Sequence, residues 1–263
     1  MRKIMICAAA MTAMITGAFA SDLPNKVPVY NAPLMASTPW TGFYIGVNGG
    51  GGYSTQDQSI AGVDKFAVAA VSSGFIPGSV ATRGGGGMFG GTAGYNYQLN
   101  PMFVIGAETD FDWANIGGSG GQSLTLGPFA LNTTGSEKLN WVGTLRARGG
   151  WLVTPSTLLY ATGGLAYGAA ESATTITLTV PKATYTAMSD ITSTKIGWVI
   201  GAGIEQQLFT NWSIKAEYDY ISLGSIGNSF GTTLGTKPGI PVAFTSNQDL
   251  RYQTAKVGLN YHF

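Results

Sequence analysis

The chain has 263 residues, 39 of them glycine, with only 10% charged and a formal net charge of +1. That charge content is well under the ~25% of an ordinary soluble domain, and no basic block points to a nucleic-acid partner. A single cysteine, Cys7, excludes an intrachain disulfide and a cysteine-based metal cluster.

Arg2 and Lys3 precede the uncharged apolar run from Ile4 to Phe19, and Ala18-Phe19-Ala20 has the small-x-small form of a cleavage site. Residues 1–20 therefore read as a signal peptide cut after Ala20, with Ala18 and Ala20 as the recognised pair. Residues 21–39 hold Pro24, Pro28, Pro33 and Pro39. Proline fixes φ and removes a donor, which predicts an extended periplasmic linker. Residues 40–263 are the folded part. Apolar runs of the ~18 residues that a spanning helix needs do not occur there.

In the folded part Phe43, Ile45 and Val47 alternate with Tyr44, Gly46 and Asn48, the two-residue period of a strand. Ser54 to Gly86 reads as a long loop. Strands follow over Gly87–Leu99 and Met102–Asn115, joined by the turn Gln98-Leu-Asn-Pro101. Another loop covers Ile116 to Ser136. The fourth strand, Leu139–Trp151, puts Leu139, Trp141, Leu145 and Trp151 on a charge-free face and Arg146 and Arg148 on the other. Beyond a turn at Val153-Thr-Pro-Ser156, the fifth strand runs over Leu158–Ala170. A loop over Glu171–Ser193 leads to the sixth, with Ile196, Trp198 and Ile200 opposite Lys195 and Glu205. A seventh has Trp212, Ile214 and Tyr218 opposite Lys215, Glu217 and Asp219. Ser225 to Asp249 is a fourth loop, and the last strand carries Val257, Leu259, Tyr261 and Phe263 opposite Lys256 and His262.

Long and short connections alternate strictly, so every long loop lies at one end and every short turn at the other. The charge-free parity is also the aromatic-rich one. Outer-membrane barrels have both features, whereas soluble eight-stranded barrels turn polar faces outward. The fold class is all-β: an eight-stranded antiparallel up-and-down transmembrane β-barrel in the bacterial outer membrane.

Charges on the opposite parity then face the lumen: Glu108, Asp110, Asp112, Glu205, Glu217 and Asp219 against Lys138, Arg146, Arg148, Lys195, Lys215 and Lys256. Counting from the short turns sets Glu205 level with Lys215, and Glu108 and Asp110 close to Arg148 and Arg146. A narrow barrel has no room for bulk water, so these charges pair. Two readings stand: a structural network that plugs the lumen, and a narrow pore for small solutes or ions lined by the same charges.

Trp40-Thr-Gly-Phe-Tyr-Ile-Gly-Val-Asn-Gly-Gly, Gly-Gly-Leu-Ala-Tyr-Gly at 163–168, Gly-Trp-Val-Ile-Gly-Ala-Gly-Ile-Glu at 197–205 and Ile-Lys-Ala-Glu-Tyr at 214–218 form a set. As a set they resemble the small outer-membrane proteins of rhizobia and brucellae, the RopB type, whose barrel is similar to that of OmpA. The resemblance covers nearly the whole mature chain outside the loops. It implies an abundant envelope protein rather than an enzyme, and some relatives are surface antigens or haemin binders. The sequence departs from full OmpA in its peptidoglycan-binding domain, so a cell-wall tether is not expected.

His262 is the only histidine, next to the last residue, and it reads as a surface or lumen-mouth group rather than a catalytic base. No catalytic set, metal site or cofactor is expected. For haemin, the loops offer only Met88, Tyr185 and Met188 as axial ligands, which counts against binding. The expected partners are outer-membrane lipid, lipopolysaccharide and the insertion machinery. For that machinery, Val257, Leu259, Tyr261 and Phe263 read as the terminal assembly signal. What remains is a structural and surface-interaction role in the envelope.

Overall fold

The computed structural model describes residues 40–235 and 239–263. The expected signal peptide, its cleavage pair Ala18 and Ala20, and the proline-rich linker lie outside the described residues. Among the described residues, eight antiparallel strands close in sequence order into a barrel. They are β1 (Gly42–Gly62), β2 (Ser79–Gln98), β3 (Phe103–Leu126), β4 (Phe129–Thr154), β5 (Thr157–Val180), β6 (Ala183–Gln207), β7 (Trp212–Leu234) and β8 (Ile240–His262). One helix, α1 (Lys65–Ser72), lies between β1 and β2.

The strands are far longer than the sequence reading allowed. β4 has 26 residues, whereas a tilted strand crosses a bilayer in about 9–11. Phe103, Trp151 and Tyr97 mark the lower edge of the outward apolar band, and Phe89, Trp113, Trp141, Tyr167, Trp198 and Tyr220 mark the upper. Above that upper girdle the strands project out of the membrane. Most of the expected long loops are therefore strand: the β5 and β6 extensions pair without a break up to Val180↔Ala183. The signal was present in Ala173-Thr-Thr-Ile-Thr-Leu-Thr-Val180, where β-branched residues alternate. It resembles a loop pattern because threonine replaces the outward apolar side chains wherever water replaces lipid.

Two irregularities decide which side chains enter the lumen. Leu139 pairs with Ala170 and Trp141 with Ala169, so Asn140 is an extra residue in β4. A bulge of this kind shifts the alternation by one. Below it the even positions of β4 point inward; above it the odd ones do. Leu139, expected on the outer face, is therefore buried in the lumen. A second bulge between Ser222 and Ser225 does the same in β7, where Gly224 takes the φ of +77° that favours glycine. The β2–β3 seam stops at Arg83↔Ser119, and the β6–β7 seam is shorter still. β6 and β7 pair only from Gln207↔Ser213 to Trp198↔Ser222, while the β5–β6 and β7–β8 ladders continue to the strand tips.

The interior is filled in layers. Trp40, Val104, Leu152 and Leu158 close the periplasmic end, and the Trp40 indole donates to the Pro155 carbonyl at 3.1 Å. The ionic layer comes next. An apolar layer that includes Ile116, Leu139, Val142, Leu223 and Tyr252 lies above it. Then follow a neutral polar layer and a second apolar cluster roofed by α1. Asp64 caps α1, accepting from Phe66 N at 2.9 Å and Ala67 N at 3.0 Å, and its other oxygen accepts from Ala243 N in β8. These amides, Ala67 first, hold its carboxyl below the usual range.

Candidate functional site

The ionic layer is centred on Arg146, which the period of β4 points inward at the middle of the membrane. Its guanidinium reaches Glu108 at 2.5 Å, Glu217 at 2.9 Å and Asp219 at 2.8 Å, and also bonds Asp110. One side chain thus joins carboxylates from β3 and β7 on facing walls. Arg148, one pleat nearer the periplasm, pairs with Glu205 and lies 3.7 Å over the Tyr160 ring. Lys215 reaches Glu108 at 3.1 Å. Lys256 serves Asp112 and Asp219, both at 3.3 Å. Tyr44 donates to Glu108 at 2.6 Å and Tyr160 to Glu217 at 2.9 Å.

These two tyrosines lie flat because glycines face them. A Cβ on Gly94 would come within 2.5 Å of the Tyr44 hydroxyl, and one on Gly203 equally close to that of Tyr160. Glu108, Asp110 and Glu217 oxygens approach within the reach of a metal ion. Arg146 bonds all three, so the cation at their centre is supplied by the protein.

The expected charges divide as follows. Glu108, Asp110, Asp112, Arg146, Arg148, Glu205, Lys215, Glu217, Asp219 and Lys256 are all buried in this layer. Lys138 is not: the Asn140 bulge turns it to the exposed outer face and turns Glu137 inward in its place. Lys195 has the inward parity but is half-exposed above the layer, and it makes no ion pair among the described residues. Six carboxylates therefore face four cations, not six. Glu205 and Lys215 are register partners, yet Glu205 bonds Arg148 across the lumen rather than its neighbour.

Glu137 is the buried charge that parity misplaced. It sits above the girdle, outside the membrane, where Ser54 donates to one carboxylate oxygen and Gln248 to the other at 3.2 Å. Around it are Gln56, Gln58, Ser172 and Thr174, and among the described residues no cation pairs with it. Burial pushes its carboxyl up to about 7, against the opposing effect of the Ser54 hydroxyl.

His262 sits at the lumen mouth against Trp40 and Tyr44. Its Nε2 lies 2.9 Å from Ser213 Oγ and 3.3 Å from Glu205 Oε1. A catalytic triad holds serine and carboxylate on opposite ring nitrogens, whereas here both meet the same one and Ser213 donates to Glu205. The cluster anchors Glu205. Of the three haemin-ligand candidates, Met88 is buried in β2 inside the lumen rather than in a loop, and Tyr185 and Met188 fall on opposite faces of β6. They do not converge. Val257 and Leu259 of β8 and Phe263 just beyond it face lipid, and Tyr261 packs edge-on against Trp212 and Phe263, with centroids at 5.2 Å in both cases.

A family model described as the outer membrane protein beta-barrel domain matches residues 7–263. The chain belongs to that family. The 31 kDa outer-membrane immunogenic protein of Brucella melitensis is 35% identical over 269 residues, covering 99% of this chain and 100% of the relative. The 22 kDa outer membrane protein of Rhizobium leguminosarum bv. viciae is 29% identical, covering 72% of this chain and 67% of its own length. Among solved structures, the outer membrane protein OprG of Pseudomonas aeruginosa aligns with a TM-score of 0.43 at 13% identity, over 86% of this chain and 99% of that one. This outer-membrane barrel protein carries a lumen closed by buried ion pairs.

Proposed function

We propose that this barrel is a non-catalytic structural and surface-interaction protein of the bacterial envelope. It holds a rigid extracellular extension above the membrane. The observation that supports this reading is Arg146, wholly buried and bonded to four carboxylates on facing walls, which fills the lumen at mid-membrane. An eight-stranded barrel is only just wide enough for side chains to fill. The work is then done outside the lumen, and the B. melitensis relative is by name an outer-membrane immunogenic protein. Lipid and lipopolysaccharide contact the apolar band and the strand surface just above it, and the aromatic C-terminus addresses the insertion machinery. Nucleic acid has no part. The test is conductance of the purified barrel in a planar bilayer. The plugged reading expects no steady current, and sustained conductance on the scale of a wide porin overturns it.

A further inference from the structure

The outer apolar cluster is not solid. Beneath α1 it leaves a partly open cavity of about 100 Å³. Phe66 of α1 roofs it, Tyr185 and Ala187 of β6 form one wall, and Leu234 of β7 and Phe244 of β8 form the other. Its lining is almost entirely carbon, so a charged or strongly hydrated occupant would lose its water without compensation. The volume sets the size. Apolar protein cavities of comparable scale take up benzene-sized molecules.

An entrance coincides with it. β6 and β7 stop pairing above Trp198↔Ser222, and the cavity lies further out between the same two strands. At the level of the polar layer, one side-chain hydrogen bond, Asn228 to Ser189 at 2.5 Å, crosses this unpaired stretch. Along the cavity's other strand walls the β4–β5, β5–β6 and β7–β8 ladders run on to the strand tips. We propose that this cavity is a binding site for a small apolar molecule, a single aromatic ring or an alkyl chain of similar volume, admitted through the β6–β7 seam. The half-buried Tyr185 at the wall tolerates one hydroxyl on the guest. The site lies above the membrane and apart from the ionic plug, so it delivers nothing through the lumen.

Toluene is the probe, and the protein is the refolded barrel in lipid nanodiscs with its cavity methyl groups followed by NMR. The methyls of Leu131, Ile176 and Val242 are expected to shift saturably with toluene. Ala187→Leu, which fills the cavity, is expected to weaken that binding by about tenfold or more, roughly the factor that 1.4 kcal/mol represents. A milder filling variant, Ala70→Leu on α1, covers the case in which Ala187→Leu fails to fold. For the entrance, Ser189→Cys with Asn228→Cys is compared oxidised and reduced in the same preparation. Oxidation is expected to slow toluene exchange by about tenfold while leaving its affinity nearly unchanged. Absence of a saturable shift, or equal shifts in a folded filled variant, overturns the site. Identical exchange rates in the oxidised and reduced forms overturn the seam as its entrance.

Discussion

Among the described residues, the barrel buries six carboxylates beside four cations within the membrane; above it, Glu137 is buried beside none. The lower layer offsets desolvation by direct pairing: Arg146 alone meets four carboxylates, and hydroxyls of Tyr44 and Tyr160 take up remaining lone pairs. The upper layer meets the same cost with neutral donors from Ser54 and Gln248, and with a carboxyl that keeps its proton to about pH 7. A paired charge is tolerated at any ordinary pH, but a neutralised one only on the acid side of its pKa. The two halves of the same plug should therefore respond differently to mutation and to pH.

The largest expected effect breaks the lower half. Arg146→Met leaves buried carboxylates uncompensated and should lower unfolding free energy by about 3–5 kcal/mol, read from urea midpoints in detergent. Adding Glu108→Gln should cost clearly less than the sum of the single changes, since the pair is in direct contact. Additive losses would place the two residues apart.

The upper half should respond to pH instead. An unfolded glutamate loses its proton near 4.5, whereas folded Glu137 holds it to about 7. Its stabilising contribution is thus complete below 4.5 and is lost as pH rises through 7, amounting at most to about 3 kcal/mol. Wild type measured against Glu137→Gln across that window should show the loss, and parallel pH profiles for the two proteins would refute it. Tyr252 is the other titratable group facing Glu137, and Tyr252→Phe should leave the profile in place.

Phe263 sharpens a different contrast, between folding and delivery. It is 71% exposed on the lipid face, so Phe263→Ala should cost less than about 1 kcal/mol in detergent refolding. The amount of folded barrel in the outer membrane of cells should fall much further, seen as loss of the heat-modifiable band. Equal losses in both settings would reduce Phe263 to a packing group.

The smallest effect tests the bulge. Lys138→Met should change stability by no more than about 0.5 kcal/mol, because the side chain is in water. A loss on the scale of Arg146→Met would return Lys138 to the lumen and Glu137 to the surface.

The sequence by itself determined the strand order, the membrane-facing parity and the inward set that includes Arg146, Arg148, Glu217 and Asp219. Each of those depends on a two-residue period that any uninterrupted pleat obeys. It could not show where the pleat is interrupted. Gly224 at least marks the β7 bulge with the residue such a backbone favours. Asn140 marks the β4 bulge with nothing distinctive, so Lys138 and Glu137 exchanged faces and Leu139 entered the core. Nor could local pattern choose ion partners. Glu205 ignores the adjacent Lys215 for Arg148 on a different wall, because in a closed barrel contacts across the lumen are set by the stagger of all eight strands together. The isolated carboxyl, the two layers and the unpaired seam are products of that closure, and only the tertiary structure decided them.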